Sequence, residues 1–388
     1  MITVLADQHH YLLKTCLNPS IRLETYDPIP GWSRDQIMRA DAVLVRTTNP
    51  LNEQTLPEGS RVRFAGTASA GRDHLDESFL RERGIHIADA KGSNADCVAE
   101  YVAVAVLSCC DHMNISPGSL TAGIVGVGCT GSATASLLER IGITCRLYDP
   151  PREEREHRVD ASVSGKENQN RFRSVSLDEV LACDIISLHV PMERAGVHAT
   201  WHWYDDEKIR IASKRIVLNA SRGGVVDEAA LLPAYRDGHV SMFVCDVWEN
   251  EPVFSDATAE HAFLATPHIA GYSIEAKRKA TEMMCEQMHR YFGLPDPETP
   301  ASKPRRVHLP EEDLTLIGIL RKLHPAFSYD AALRKLIGLN DTEKGPAFLR
   351  LRQNTPLRTE FTEVELPADV ADRYPVLDKL GFRMAGST

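Results

Sequence analysis

Apolar runs short enough for strands alternate with helical patterns from Ile2 to Tyr291, and one of those runs opens into Gly126, Gly128 and Gly131 at G-x-G-x-x-G spacing. Beyond them, Leu294–Arg306 (LPDPETPASKPRR) breaks the pattern with prolines and polar residues, and a shorter mixed segment follows. Alternation of strand and helix predicts parallel sheets. The glycines predict that one of them is a Rossmann-type doubly wound sheet, and the break predicts a linker ahead of a small C-terminal α+β domain. The fold class expected is α/β.

The glycine turn sits in the context that a dinucleotide fingerprint requires. Ala122–Val125 reads as a buried strand, a helix is expected from about Ser132 to Arg140, and a second strand, Ile143–Tyr148, ends at Asp149. Gly126 permits the tight turn, Gly128 lets backbone approach a pyrophosphate, and Gly131 lets helix and strand pack closely. The amides of Cys129 and Thr130 then face a phosphate at a helix N-terminus, where the dipole favours an anion. Asp149 stands where a carboxylate accepts from a ribose diol, which predicts NAD in preference to NADP. Arg152, close by, is the cation that a 2′-phosphate would need.

On the N-terminal side, strands are expected at Ile2–Ala6, Ala42–Arg46 and Val62–Gly66, with helices at Ser33–Ala40 and Asp76–Arg83 between them. Ligands of parallel sheets gather at the carboxyl ends of strands, so Arg46, Thr47, Thr67 and Gly71 are candidate substrate contacts. Ordinary loop capping accounts for the two threonines equally well. Asn94–Cys110 is apolar all round and reads as a buried helix. Arg152–Arg173 is charged and lacks periodicity, so a surface loop without function is expected. Further strands are expected at Asp184–Val190, Arg215–Asn219, Met242–Val247 and Ala262–Thr266, with helices at Ser176–Ala182, Asp227–Tyr235 and Glu275–Tyr291. His198 and His202 have i, i+4 spacing, but zinc would need a third ligand and none is evident, so hydrogen-bonded histidines are favoured. In the C-terminal segment, Asp313–Leu323 and Asp330–Ile337 look helical and Arg358–Leu366 alternates like a strand.

The composition bounds the function classes. With 43% hydrophobic and 25% charged residues, the 388-residue chain is ordinary for a globular protein with two or three domains. A net charge of −10 and the absence of a basic stripe speak against nucleic acid. No apolar run is long enough for a membrane span and MITVLADQHH does not pattern as a signal peptide, so no membrane partner and a cytoplasmic location are expected. Nine cysteines without a C-x-x-C pair suit a reducing compartment.

Three segments place a polar residue just after an apolar strand: Arg222, Glu251 and His268. Removing hydride from a secondary alcohol needs a base for the hydroxyl proton, which His268 supplies. The imidazole must be oriented and its charged form stabilised, a task for Glu251. A guanidinium such as Arg222 fixes a carboxylate beside the reacting carbon bidentately.

With these residues in view, the chain resembles the D-2-hydroxyacid dehydrogenase family. The matching segments are Gly126–Gly131, Asn219–Asp227 (NASRGGVVD), Asp246–Pro252 (DVWENEP) and Thr266–Tyr272 (TPHIAGY), in register over roughly Val4 to Tyr291. The closer likeness is to a branch that oxidises a phosphorylated 2-hydroxy acid on the route to pyridoxal phosphate. It rests on Val45–Thr47, Gly66–His74, Asp149–Arg152 and His268–Tyr272, with a looser match at Lys379–Phe382. The resemblance implies a flavodoxin-like substrate (lid) domain, 1–96 with 273–293, and an NAD-binding Rossmann domain, 97–272. It also implies a linker, 294–306, and a C-terminal dimerisation domain, 307–388, that makes a homodimer. It implies substrate contacts from Thr47, Thr67 and Tyr272. NAD contacts are implied from Cys129, Thr130, Asp149, Val190, Asp246 and Gly271, with Ala220, Ser221 and Arg222 beside them. Arg222 and Glu251 are implied as active-site residues and His268 as the proton donor in the reducing direction. The substrate phosphate would need cations, for which Arg46 and Arg72 are available. Val190 stands where this branch often has threonine, so only backbone contact is expected there. Another dehydrogenase of the family, such as phosphoglycerate dehydrogenase, or an NAD-sensing corepressor are the alternative readings.

Overall fold

A computed structural model of the chain describes residues 1–161, 171–296, 305–307, 315–354 and 356–385. The chain divides into two compact units, Met1–Asn94 with Ser273–Lys303, and Ala95–Tyr272 with Pro304–Thr388.

The first unit is built on five parallel strands: β1 (Thr3–Asp7), β2 (Arg22–Tyr26), β3 (Ala42–Val45), β4 (Phe64–Thr67) and β5 (His86–Ala88). Their order, β2-β1-β3-β4-β5, is that of flavodoxin-like sheets, and the chain reverses direction across the sheet between β1 and β3. The central strands β3 and β4 are buried at every position, which is why they read as unbroken apolar runs. The helix Ile274–Phe292 covers one face, its Met284, Cys285 and Met288 packing with Val4, Leu44 and Phe64.

The second unit is built on six parallel strands, β6 (Thr121–Val125), β7 (Thr144–Tyr148), β8 (Ile185–Leu188), β9 (Lys214–Asn219), β10 (Val240–Cys245) and β11 (Leu264–Ala265). Their order is β11-β10-β9-β8-β6-β7, so β6 leads to β7 on one side and onward to β8 on the other. That is the doubly wound arrangement expected, with its switch point beside β6. The helix Ala95–Met113 is buried from Val98 to Cys110 in the core of this unit, as its all-round apolar pattern implies.

The C-terminal residues share that core. Ile319, Leu320, Tyr329, Phe361, Leu366 and Phe382 pack in the same cluster as Tyr101, Val102 and Val106. A three-stranded parallel sheet, β12 (Arg305–Arg306), β13 (Val364–Leu366) and β14 (Arg383–Met384), in the order β12-β13-β14, lies among short helices. Buried ionic contacts hold the segment: Arg358 pairs with Glu100 and donates to the Cys97 carbonyl at 2.9 Å, while the Phe361 amide donates to Glu100 at 2.8 Å. Burial pushes the Glu100 carboxyl up, to about 7, and the adjacent guanidinium pulls against it. No helix among the described residues is long and apolar enough to cross a membrane.

The structure corrects several expectations. The charged segment after Asp149 is not a loop at its start: Pro150–Ala161 is an α-helix. Asp149 accepts from the Arg152 amide at 2.9 Å, and i, i+4 pairs Arg152–Glu156 and Arg158–Glu154 tie the exposed turns. Residues 162–170 of that segment lie outside the described residues, as do 297–304 of the expected linker and Asp313 at the start of an expected helix. His198 and His202 lie in turns, not on one helical face, and His202 itself has φ of +49°. The expected strand Arg358–Leu366 is extended only at Val364–Leu366, after a short 3-10 turn at Phe361–Glu363.

Candidate active site

Each residue implied for the cofactor lies just past the carboxyl end of a strand in the six-stranded sheet. The glycine turn follows β6, Asp149 follows β7, Val190 follows β8, Ala220–Arg222 follow β9, Asp246 follows β10 and His268–Gly271 follow β11. The helix begins at Cys129, earlier than the sequence suggested, so Gly128 is its N-cap. Gly126 has φ of +84°, and a side chain on it would meet the His189 carbonyl and Val190 Cγ1, both at 2.7 Å. A side chain on Gly131 would collide with the Gly126 carbonyl at 1.9 Å, so these two glycines are required by packing. Gly128 differs: a side chain there would enter open space, the volume that a pyrophosphate over the turn would fill. The turn therefore fits a dinucleotide.

Asp149 Oδ2 accepts from the Val127 amide at 2.8 Å, which fixes the carboxylate beside the glycine turn. Arg152 is committed to this loop. Its Nη1 donates to the Val127 carbonyl at 2.7 Å, its Nε to Glu156 at 2.8 Å, and its guanidinium lies 4.4 Å from the Phe172 ring centroid. A neutralised guanidinium offers a 2′-phosphate little, in keeping with NAD.

Asn219, at the end of β9, shapes the next turn. Its Oδ1 accepts from the Ser221 amide and hydroxyl, and its Nδ2 donates to the Arg222 carbonyl at 3.0 Å. Arg222 Nη1 donates back to the Ser221 carbonyl at 2.8 Å. Gly223 packs so tightly on the segment carrying Glu251 that a side chain would stand 1.7 Å from the Trp248 carbonyl. The Arg222 turn and the Glu251 loop are thus direct neighbours.

Glu251 and His268 form the centre of the candidate site. His268 Nδ1 and Glu251 Oε2 are 2.8 Å apart, and Glu251 Oε1 accepts from the Trp248 amide at 3.0 Å. With both carboxylate oxygens held, the ring is oriented through Nδ1, and Nε2 has no hydrogen bond to any described residue. His268 has φ of +58°, a left-handed conformation that costs energy and is found where function demands it. Asp246 holds it there. The buried carboxylate accepts from the Thr266 hydroxyl at 2.6 Å and from the Ile269 and Ala270 amides at 2.8 and 2.9 Å, and its carbonyl accepts from the His268 amide at 2.7 Å. Burial raises the Asp246 carboxyl above its usual range, against the pull of His268 and these bonds. Burial would raise Glu251 too, but His268, its hydrogen bond and then Arg352 outweigh it and hold this carboxyl below the ordinary value.

The sequence did not single out Arg352, whose Nε donates to the Tyr272 hydroxyl at 3.1 Å. It lies on the helix Asp341–Gln353, which carries Gly345 and Pro346 and so reads as a break. His202 hydrogen-bonds Glu249 through Nε2 at 3.1 Å and faces Asp227 through Nδ1 at 3.9 Å. His202, Asp227 and Glu249 thus bring one possible ligand atom each to within 4.8 Å of one another, carboxylate neighbours that the sequence did not show for this histidine. His198 lies beside Glu154 instead.

In the five-stranded unit, Arg46 and Thr47 follow β3 at the switch point, with Arg46 half-buried and Thr47 exposed. Thr67 ends β4 fully buried, its hydroxyl 3.0 Å from His74 Nε2. Burial pushes His74 down to about 4, so this ring is neutral. Arg72 is already shared between Asp89, at 2.5 Å, and Glu77, at 3.4 Å.

Residues 110–270 match the model of the NAD-binding domain of D-isomer specific 2-hydroxyacid dehydrogenases. Over 362 residues the chain is 39% identical to the erythronate-4-phosphate dehydrogenase of Marinobacter nauticus, covering 90% of this chain and 91% of that one. It is 35% identical to the enzyme of the same name from Tolumonas auensis, covering 92% and 94%. Among solved structures, the D-lactate dehydrogenase of Aquifex aeolicus, complexed with NAD and lactic acid, is similar with a TM-score of 0.54 at 21% identity, over 75% of this chain and 95% of that one.

Proposed function

We propose, for a chain that belongs to the erythronate-4-phosphate dehydrogenases of the D-isomer specific 2-hydroxyacid dehydrogenase family, that its activity is the NAD-dependent oxidation of 4-phospho-D-erythronate. The product is (R)-3-hydroxy-2-oxo-4-phosphooxybutanoate, and the step is the second of pyridoxal 5′-phosphate synthesis. NAD, when bound over the Gly126–Gly131 turn, supplies the hydride acceptor. The chain's own residues do the rest. His268 Nε2 takes the C2 hydroxyl proton, and returns it in the reducing direction. Glu251 fixes the imidazole through Nδ1 and stabilises the imidazolium that forms. Arg222 holds the substrate carboxylate through its guanidinium fork. Thr47, Thr67 and Tyr272 contact substrate, with the Thr67 hydroxyl braced by neutral His74. Arg46 supplies positive charge to the phosphate, since Arg72 is already shared by two carboxylates.

The observation that carries this reading is the 2.8 Å Glu251–His268 contact at the carboxyl edge of the sheet that bears the glycine turn. In this reading residues 1–96 with 273–293 bind substrate, 97–272 hold NAD, and 307–388, behind the 294–306 linker, make the homodimer. Nine cysteines, all free, favour a cytoplasmic location. Purified protein should reduce NAD with 4-phospho-D-erythronate, and His268→Ala should abolish turnover. Turnover of 3-phosphoglycerate or glyoxylate in its place overturns the substrate assignment. Light scattering that finds a monomer overturns the dimer.

A further inference from the structure

Of three residues one turn apart on the helix Asp341–Gln353, two tie it to the segment that follows Glu251 and the third reaches the turn after β11. Lys344 Nζ pairs with Asp256 at 2.7 Å, Phe348 packs on Phe254 with ring centroids 6.0 Å apart, and Arg352 reaches Tyr272. Positions i, i+4 and i+8 share one helical face, so the first two contacts dictate where the third side chain goes. Gly345 lies on the same segment, where a side chain would stand 3.4 Å from Pro252. Arg352 thereby enters the neighbourhood of Glu251 and Tyr272. Its Nε donates to the Tyr272 hydroxyl at 3.1 Å, and its guanidinium carbon lies 5.8 Å from the Tyr272 ring centroid.

That leaves the outer edge of the fork. Neither Nη1 nor Nη2 bonds to a described residue, and no described carboxylate forms an ion pair with this arginine. A guanidinium anchored through Nε by a tyrosine, with two parallel N–H donors unspent, is the arrangement that receives an oxyanion bidentately. Arg222 is assigned to the substrate carboxylate, Arg72 is neutralised, and Arg46 alone supplies one positive charge where a phosphate monoester carries nearly two negative ones. We propose that Arg352, from the C-terminal segment, binds the phosphate monoester of the substrate beside Tyr272, and that it sets the preference for a phosphorylated acid. The inference deepens the function proposed above and rests on its placement of substrate at Tyr272. Electrostatic proximity accords with it: Glu251 and Tyr272 both act on Arg352, whose guanidinium stays charged despite partial burial.

The test is Arg352→Gln, which keeps a donor for Tyr272 and drops the charge, with Arg352→Lys as the charge-retaining partner. Initial rates are measured with 4-phospho-D-erythronate and with unphosphorylated D-erythronate, and inorganic phosphate is titrated as competitor and as thermal-shift ligand. For Arg352→Gln the KM for the phosphorylated acid should rise about 10- to 150-fold, the range for losing a charged hydrogen bond. The KM for D-erythronate and kcat should change little, the phosphate-induced rise in Tm should vanish, and Arg352→Lys should recover part of each. Equal losses on both acids with a shifted pH profile would mean that Arg352 acts only through Glu251, and would overturn the proposal. So would an unaltered phosphate shift in both variants. Wild-type protein that binds phosphate through Arg352 but oxidises neither acid would sink the function reading, and with it the substrate preference, and would leave only the oxyanion site at Arg352.

Discussion

Glu251→Gln isolates what the carboxylate does for the histidine. The two groups are 2.8 Å apart and their side chains are 22% and 27% exposed, so solvent screens the contact only in part. Glutamine keeps the shape and an acceptor for Nδ1, and loses only the charge. A hydrogen bond to an ionised partner contributes about 1.5–3 kcal/mol. That stabilisation applies where the imidazolium develops, so kcat for oxidation should fall roughly 10- to 150-fold, at about 1.4 kcal/mol per decade. The pH dependence has a definite sign. Against burial, His268 and its hydrogen bond hold the Glu251 carboxyl below the ordinary value, so the carboxylate and the stabilisation it gives persist through neutral pH and are lost only as pH falls below the usual carboxylate range. The ratio of wild-type to variant rates should therefore stay constant through neutral pH. The assay is NADH absorbance across the pH range at saturating NAD. A variant with the wild-type rate would refute the dyad.

The glycine turn makes a paired prediction. Gly131→Ala puts a carbon 1.9 Å from a carbonyl and should give little folded protein, whereas Gly128→Ala meets open space and should keep its Tm while losing NAD affinity, read by fluorescence titration. Asp149→Ala should weaken NAD and leave NADP weak, because Arg152 stays tied to Val127 and Glu156; strong NADP use by that variant would show the arginine to be free. Glu100→Ala leaves the Arg358 guanidinium buried without its counter-charge, a loss of about 3–5 kcal/mol. Calorimetry should register that loss as a fall in Tm on the order of 10 °C.

What could be read from the sequence follows the physics of burial. Strands enclosed on both faces, such as β3, β4 and β6, announce themselves as apolar runs, and the residues that follow them could be named in advance. The edge strand β2, RLETY, is exposed at its start and mixes charge with apolar residues, so no period marks it. The edge strand β5 has three residues, too few for any pattern. Pro150–Ala161 looked unstructured because its order comes from a cap and salt-bridged turns, with little apolar surface to signal it. At the site, Arg222, Glu251 and His268 were marked by their place after strands. Asp246 could be named, but its part in clamping the His268 turn could not, since that depends on hydrogen bonds between segments twenty residues apart. Arg352 carried no local signal: it is set beside Tyr272 by helix docking alone, eighty residues away in the chain.

The contact between Arg358 and Glu100 means that the tail is no detachable module. Cutting the chain ahead of 358 would strand an acid deep inside the helix on which the nucleotide sheet is built, so a shortened enzyme would have to neutralise Glu100 in the same step. The same bond makes chimeras demanding: a C-terminal segment grafted from a relative must bring a guanidinium to that one spot, whatever else it changes.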